Sequence, residues 1–221
     1  MHHMNGMLYE NRQHAGEVLG KLVVALPEIA GGIVLGLVRG GVPVAFEVAR
    51  ACRLPLDILA VRKLHAPGQH ELAMGAIASG GGIALNQDVL RQCHVSDQQL
   101  EQAIEHEKDE MARQESNLRA GRSSPQLAGR TVILVDDGLA TGATMRAGIR
   151  SVKLGYAKRV IVAVPVGASS TCEELSAEVD HVVCPFRPDW MFAVSQFYAD
   201  FGQTSNEDVQ RLLAEADRAL E

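Results

Sequence analysis

No apolar run in this 221-residue chain reaches 18 residues, so no transmembrane helix is expected. The opening residues, Met1-His2-His3-Met4-Asn5-Gly6, lack the apolar core of a secretory signal. Residues 1–7 are expected to be a flexible tail, and His2 and His3 to belong to it rather than to a metal site. There is no basic run and the net charge is −6, so a nucleic-acid surface is not indicated. Cysteine is scarce: Cys52, Cys93, Cys172 and Cys184 stand apart without a Cys-x-x-Cys pair. The simplest reading is a reduced cytoplasmic protein with buried thiols. Aromatic residues are only 4% of the chain, while 47% is hydrophobic, as in an ordinary α/β protein. Internal repeats and low-complexity tracts are also missing. The length suits one domain, residues 1–221, with a sizeable core.

Hydrophobic patterning predicts alternating strands and helices, hence a mainly parallel, twisted sheet. A helix is expected over 11–26, with Val18, Leu19, Leu22 and Val23 on its apolar side and Pro27 at its end. Ile33–Leu37 reads as the first strand, Val42–Ala51 as the next helix and Leu56–Val61 as the second strand. Residues 62–75 read as a polar loop, Met74–Ala78 as a short strand and Ser79–Gly82 as a turn. The longest helix runs from Ser96 to about Ala120. Ser96 and Gln99 form a capping box there, and Leu100, Ile104, Met111 and Leu118 a narrow apolar seam. Its acidic residues Glu101, Glu105, Glu107, Asp109 and Glu110 read as a solvated face. Val160–Val164 and His181–Cys184 are further strands. Ser170 with Glu173 is expected to cap a short helix, and 205–220 to form an amphipathic one.

The most informative segment is Val132-Ile-Leu-Val-Asp-Asp-Gly-Leu-Ala-Thr-Gly-Ala-Thr-Met145. Four apolar residues suit a buried parallel strand. Asp136 and Asp137 stand where that strand ends. Small and hydroxyl residues follow, and Met145–Leu154 has helical composition. In open α/β sheets ligands bind at the carboxyl ends of strands, and a helix N-terminus offers free N–H groups to an anion. The segment thus offers two acids for sugar hydroxyls or a metal, beside a cradle for a phosphate. It is neither a nucleoside-triphosphate P-loop nor a dinucleotide fingerprint, since Gly-x-x-x-x-Gly-Lys-Ser/Thr and Gly-x-Gly-x-x-Gly are both missing. A phosphatase using Asp136 as nucleophile would want Asp-x-Asp spacing, and the chain has Asp-Asp-Gly.

This segment resembles the 5-phosphoribosyl 1-pyrophosphate (PRPP) motif of type I phosphoribosyltransferases. The whole chain, over about residues 8–215, looks most like that family's "predicted phosphoribosyltransferase" branch. The resemblance implies the type I fold: a parallel sheet of about five strands flanked by helices, with a smaller hood from about 179–204. It implies that Asp136 and Asp137 contact the ribose hydroxyls, directly or through the waters of Mg²⁺. Ala140, Thr141, Gly142, Ala143 and Thr144 would wrap the 5′-phosphate. Arg39, Gly40 and Gly41 match the pyrophosphate loop, with a cis peptide expected between Arg39 and Gly40. Arg62 and Lys63 resemble the Arg-Lys pair that opens the mobile lid of orotate phosphoribosyltransferases, and a mobile lid is therefore expected at 64–75. The further Lys of that relative is replaced here by Ala66.

The implied reaction is Mg²⁺-dependent transfer of the phosphoribosyl group from PRPP to a nitrogenous acceptor, releasing pyrophosphate. Arg39, Arg62 and Lys63 would stabilise the leaving group. Ala140 stands where the 6-oxopurine enzymes carry a second Asp, which argues against hypoxanthine or guanine by that mechanism. His65, His70 or Glu71 of the lid would be the candidate general bases, and Phe186, Asp189 and Trp190 the candidate acceptor contacts. Phe197, Tyr198 and Phe201 read as core or interface. A cytoplasmic homodimer of nucleotide metabolism is the expected setting, with no nucleic-acid or membrane partner. The competing reading is a non-catalytic regulator that senses PRPP or a nucleotide on the same fold.

Overall fold

The computed structural model describes residues 8–220, so the tail expected at 1–7 lies outside the described residues. The chain runs α1 (Arg12–Val23), β1 (Ile33–Leu37), α2 (Gly41–Cys52), β2 (Leu56–Leu59), β3 (Val61–Ala66), β4 (Gln69–Ala78), β5 (Ile83–Leu85) and α3 (Gln87–Gln92). It continues through α4 (Asp97–Arg119), β6 (Thr131–Val135), α5 (Ala143–Leu154), β7 (Arg159–Ala163), α6 (Ser169–Ser176), β8 (His181–Val183) and α7 (Asn206–Arg218). Short 3₁₀ turns occupy Pro27–Ile29 and Val194–Phe197.

Five strands form a parallel sheet in the order β2-β1-β6-β7-β8. The residues of β1, β6 and β7 are mostly apolar and buried because both faces are covered, whereas the edge strand β8 is only half-buried. Val34, Ile133, Val135 and Ile161 pack under α1, α2 and α7. The alternate residues Leu35, Leu37, Val132, Leu134 and Val162 pack under α5, α6 and a second sheet. Fully burying each such side chain contributes about 1.5–3 kcal/mol. Gly36 lets α2 lie directly on β1, since a Cβ there would stand 2.9 Å from Val42 Cα. β1 and β6 pair in register, Gly36 opposite Val135. The chain leaves β1 toward β2 on one side and leaves β6 toward β7 on the other. Their adjacent carboxyl ends are therefore a topological switch point, the place where such sheets open a crevice.

The second sheet was not anticipated. The expected strand Leu56–Val61 divides at Ala60: its first part joins the central sheet, and β3 begins at Val61 in an antiparallel sheet ordered β3-β4-β5. The expected loop 62–75 is therefore mostly a hairpin turning at Pro67-Gly68, with Gly68 at φ +72°. The expected short strand Met74–Ala78 starts earlier, at Gln69. Leu64 and Ala66 are buried while Lys63 and His65 are exposed, a period of two over a few residues. Polar composition masked it, and the buried partners come from far along the chain: Met111 of α4 and Val89 of α3. Leu100, Ile104 and Met111 of the α4 seam thus cover the hairpin, while Leu118 joins the core under α2 and α7; the capping box of Ser96 and Gln99 starts that helix as expected. Ser170, by contrast, is no cap; α6 starts at Ser169 with Ala168 before it and no side-chain cap.

Candidate functional site

The crevice at the carboxyl ends of β1 and β6 holds a cavity of about 320 Å³. It is lined by Val38, Val61, Lys63, Asp136, Asp137, Leu139, Thr141, Gly142, Thr144 and Val194, among others. β1 delivers the Val38–Gly41 turn and β6 delivers the acid pair. The two loops touch. A Cβ on Gly41 would stand 2.6 Å from the Val135 carbonyl oxygen and 2.9 Å from Asp136 Cα, and one on Gly40 would overlap Asp137 Oδ2. Only glycine allows this approach. The turn contains a cis peptide, but between Val38 and Arg39 rather than between Arg39 and Gly40 as expected.

Each acid uses one oxygen internally. Asp136 Oδ1 accepts the Asp137 N–H at 2.9 Å. Asp137 Oδ2 accepts Arg12 Nε and lies 2.8 Å from Arg12 Nη2 as well. No protein hydrogen bond among the described residues reaches the other oxygen of either acid. Burial raises the Asp136 carboxyl well above the usual range, the Asp137 charge raises it further, and the Asp137 N–H, Arg12 and Lys63 oppose the shift. Asp137 is also raised by burial, with Arg12 pulling against it. Two such carboxylates side by side favour a cation or hydroxyl donors between them.

The following loop is an anion cradle in its backbone. The N–H groups of Ala140, Thr141 and Gly142 have no hydrogen-bond partner among the described residues. Ala143 and Thr144 open α5, where N–H groups have no intrahelical acceptor. The loop's carbonyls are held from outside: Thr171 Oγ1 donates to Ala140 O at 2.8 Å and Arg146 Nη1 to Thr141 O at 3.1 Å. Gly142 sits at φ +75°, and a Cβ there would meet Thr171 Cγ2 at 2.8 Å. The positive end of α5 adds to the attraction for negative charge.

The other anticipated residues divide. Lys63 lines this cavity and also a neighbouring one of about 820 Å³, which shares Thr141 and Thr144. Arg62 lines neither; it is ion-paired with Glu107 of α4. Adjacent strand residues point to opposite faces, so β3 can offer only one of the two to the crevice. Arg39 is exposed, and its Nη1 lies 3.5 Å from Asn206 Oδ1, outside the cavity lining. Phe186 packs in the hood against Phe197, ring centroids 5.5 Å apart. Asp189 is exposed and Trp190 is 83% exposed. None of the three lines the cavity; Val194 does. His65 is exposed, Glu71 lines the larger cavity, and the side chain of His70 lies outside what is described.

Arg12, Tyr198 and Val194 belong to the site without having been anticipated. No basic residue close to Asp137 in sequence offers itself as a partner; Arg12 supplies one from 125 residues away. Tyr198 donates its hydroxyl to the Asp137 carbonyl at 2.6 Å. No local motif marks either contact, although the Tyr198 and Phe201 aromatics were legible as packing residues.

The chain matches the model of the phosphoribosyl transferase domain over residues 28–201. It is 41% identical over 211 residues to "Putative phosphoribosyl transferase Rv0571c" of Mycobacterium tuberculosis (strain ATCC 25618 / H37Rv), which covers 96% of this chain. It spans about half, 47%, of the length of that relative. It is 40% identical to TT1426 from Thermus thermophilus, whose crystal structure superposes with a TM-score of 0.79, covering 95% of this chain and 99% of that one. The AQ2163 protein from Aquifex aeolicus shares the fold at 12% identity, with a TM-score of 0.50 over 85% of each chain. The match places this chain in the phosphoribosyl transferase domain family, with the acid pair and the loop of unpartnered N–H groups at the switch point of its sheet.

Proposed function

We propose that this chain transfers a 5-phosphoribosyl group from PRPP to a nitrogenous acceptor, releasing pyrophosphate. The observation that carries this reading is the juxtaposition of unpartnered N–H groups at 140–142 with the acid pair. The cradle takes the 5′-phosphate, with the Thr141 and Thr144 hydroxyls as further donors. The free oxygens of Asp136 and Asp137 accept the two vicinal ribose hydroxyls. Lys63 supports the leaving pyrophosphate, and Gly40-Gly41 bring the α2 N-terminus to it. Arg62 is left out, because Glu107 holds it. A hydrated Mg²⁺ fits the donor set: that ion keeps several waters and takes one or two carboxylates beside substrate phosphates. Bound there, it would neutralise charge on the leaving group.

Displacement at C1 passes through an oxocarbenium-like state, so negative charge grows on the pyrophosphate and Lys63 gains interaction as the bond breaks. No protein nucleophile is required. The acceptor meets an aliphatic wall of Val38, Val61, Leu139 and Val194, which shields C1 from water. The loss of Arg62 to Glu107 favours a second reading, a PRPP or nucleotide sensor on the same fold. A pyrophosphate-release screen across bases and small amines, run beside calorimetry with Mg²⁺–PRPP, separates them. Release with one acceptor identifies a transferase. Tight binding without release from any acceptor identifies a sensor. No PRPP binding overturns the transferase reading and the PRPP-sensor reading alike.

A further inference from the structure

We propose that Arg12 is the positioning residue of the ribose subsite, and that residues 9–12 and 198–202 form a bracket which sets Asp137. The inference rests on the reading of the crevice as a phosphoribosyl site.

The geometry is specific. Arg12, on the first turn of α1, gives Nε and Nη2 to a single oxygen, Asp137 Oδ2. Its third nitrogen, Nη1, donates to Gly202 O at 2.6 Å. The guanidinium carbon sits over the Phe201 ring, 3.8 Å from the ring centroid. Arg12 and Asp137 side chains are only 13% and 14% exposed, so this pair is not a screened surface contact. The Asp137 backbone is held as well, through the Tyr198 hydroxyl. Tyr198 is fixed in turn by the N-terminal segment: it bridges to Tyr9, and Ala199 N and Asp200 N donate to Tyr9 O and Glu10 O at 2.8 Å. Tyr9 is anchored by its hydroxyl on Pro165 O.

Two consequences follow. With Oδ2 committed to Arg12 and facing Gly40, the Asp137 carboxylate is not free to rotate. Its Oδ1 is the oxygen left for a ligand, in a fixed direction. The guanidinium also cancels one of the two adjacent negative charges, which lowers their mutual repulsion when both are ionised. Arg12 does not line the cavity. It therefore acts through Asp137 and does not touch the substrate. A planar fork on one carboxylate is a task that Lys performs poorly.

The test compares two probes by calorimetry: ribose 5-phosphate and inorganic phosphate. Both probes offer a phosphate to the anion-binding loops, whereas only ribose 5-phosphate adds the hydroxyl contacts. Their affinity ratio therefore reads the ribose subsite alone. In Arg12→Ala that ratio should fall about tenfold or more, as for loss of one hydrogen bond to a charged group, with phosphate affinity unchanged. Arg12→Lys should restore it only in part. Asp137→Asn should lower the ratio similarly, and the double variant Arg12→Ala plus Asp137→Asn should add little further loss. Should Arg12→Ala not fold, Arg12→Lys and Tyr198→Phe carry the test, each expected to lower the ratio severalfold. A wild-type protein that does not prefer ribose 5-phosphate over phosphate would overturn the phosphoribosyl reading itself. A wild-type preference retained in the folded Arg12 and Tyr198 variants would overturn the positioning role alone.

Discussion

Arg62 and Lys63 are neighbours in sequence, carry the same charge and should fail in opposite ways when neutralised. On β3 their side chains leave opposite faces of the strand. Lys63 enters the crevice, close enough to Asp136 to oppose the upward shift of its carboxyl. Arg62 is paired with Glu107, and the two side chains are 33% and 17% exposed. On the proposed function, neutralising Lys63 removes a charged donor to the leaving group, a contact type of about 1.5–3 kcal/mol. Lys63→Gln should thus weaken Mg²⁺–pyrophosphate binding by about 10- to 150-fold. Its thermal midpoint should stay near wild type, since this exposed Lys makes no ion pair among the described residues. Arg62→Gln instead leaves Glu107 half-buried and alone. The pair lies between the exposed and the buried regimes, so a loss of about 1–2 kcal/mol is expected. At about 2–4 °C per kcal/mol for a chain of this size, scanning calorimetry resolves it. Its pyrophosphate affinity should be unchanged. If Arg62→Gln weakens pyrophosphate binding as much as Lys63→Gln while keeping its thermal midpoint, then Glu107 is a resting partner that Arg62 leaves to reach the ligand. The assignment made from strand alternation would then be refuted.

Three further outcomes are expected. Burial raises the Asp136 carboxyl in the folded state, so its contribution to stability is full below the unfolded carboxyl value of about 3.9 and is lost as pH rises through the folded value. The thermal midpoint of Asp136→Asn should therefore exceed wild type near neutral pH, and the difference should vanish toward about pH 4; parallel curves would contradict this. Added Mg²⁺ should raise the wild-type midpoint and not that of the variant. In hydrogen exchange, amides paired across β3 and β4, such as Arg62 opposite Ile77 and Leu64 opposite Gly75, should already be protected in the free protein, with fast exchange confined to the Pro67-Gly68 turn. Uniformly fast exchange over 62–78 would restore the mobile lid that composition alone implies.

What the sequence determined by itself was whatever depends on neighbours within about ten residues. The apolar runs placed the cores of β1, β6 and β7 within a residue, because strands buried on both faces need no partner to be recognisable, and the half-buried edge strand β8 was placed as closely. Ser96 with Gln99 fixed the start of α4. Asp136, Asp137 and the 140–144 cradle were legible because one continuous strand, loop and helix builds them. Tertiary structure decided what depends on distant groups. The hairpin at 61–78 buries Leu64, Ala66, Met74 and Ile77 toward α3 and α4, and Ala76 and Ala78 toward α5, partners that lie far along the chain. Ser170 had a capping pattern, but α6 began one residue earlier and left it unused. Phe186 and Trp190 were equivalent as aromatics until the hood took one inside and left the other outside. Arg12 shows the limit most clearly. Nothing near it in sequence distinguishes it from any other surface-seeking arginine of an amphipathic helix. Its role arises because folding brings α1, the 198–202 segment and the end of β6 to one point, where a buried carboxylate needs a positive partner.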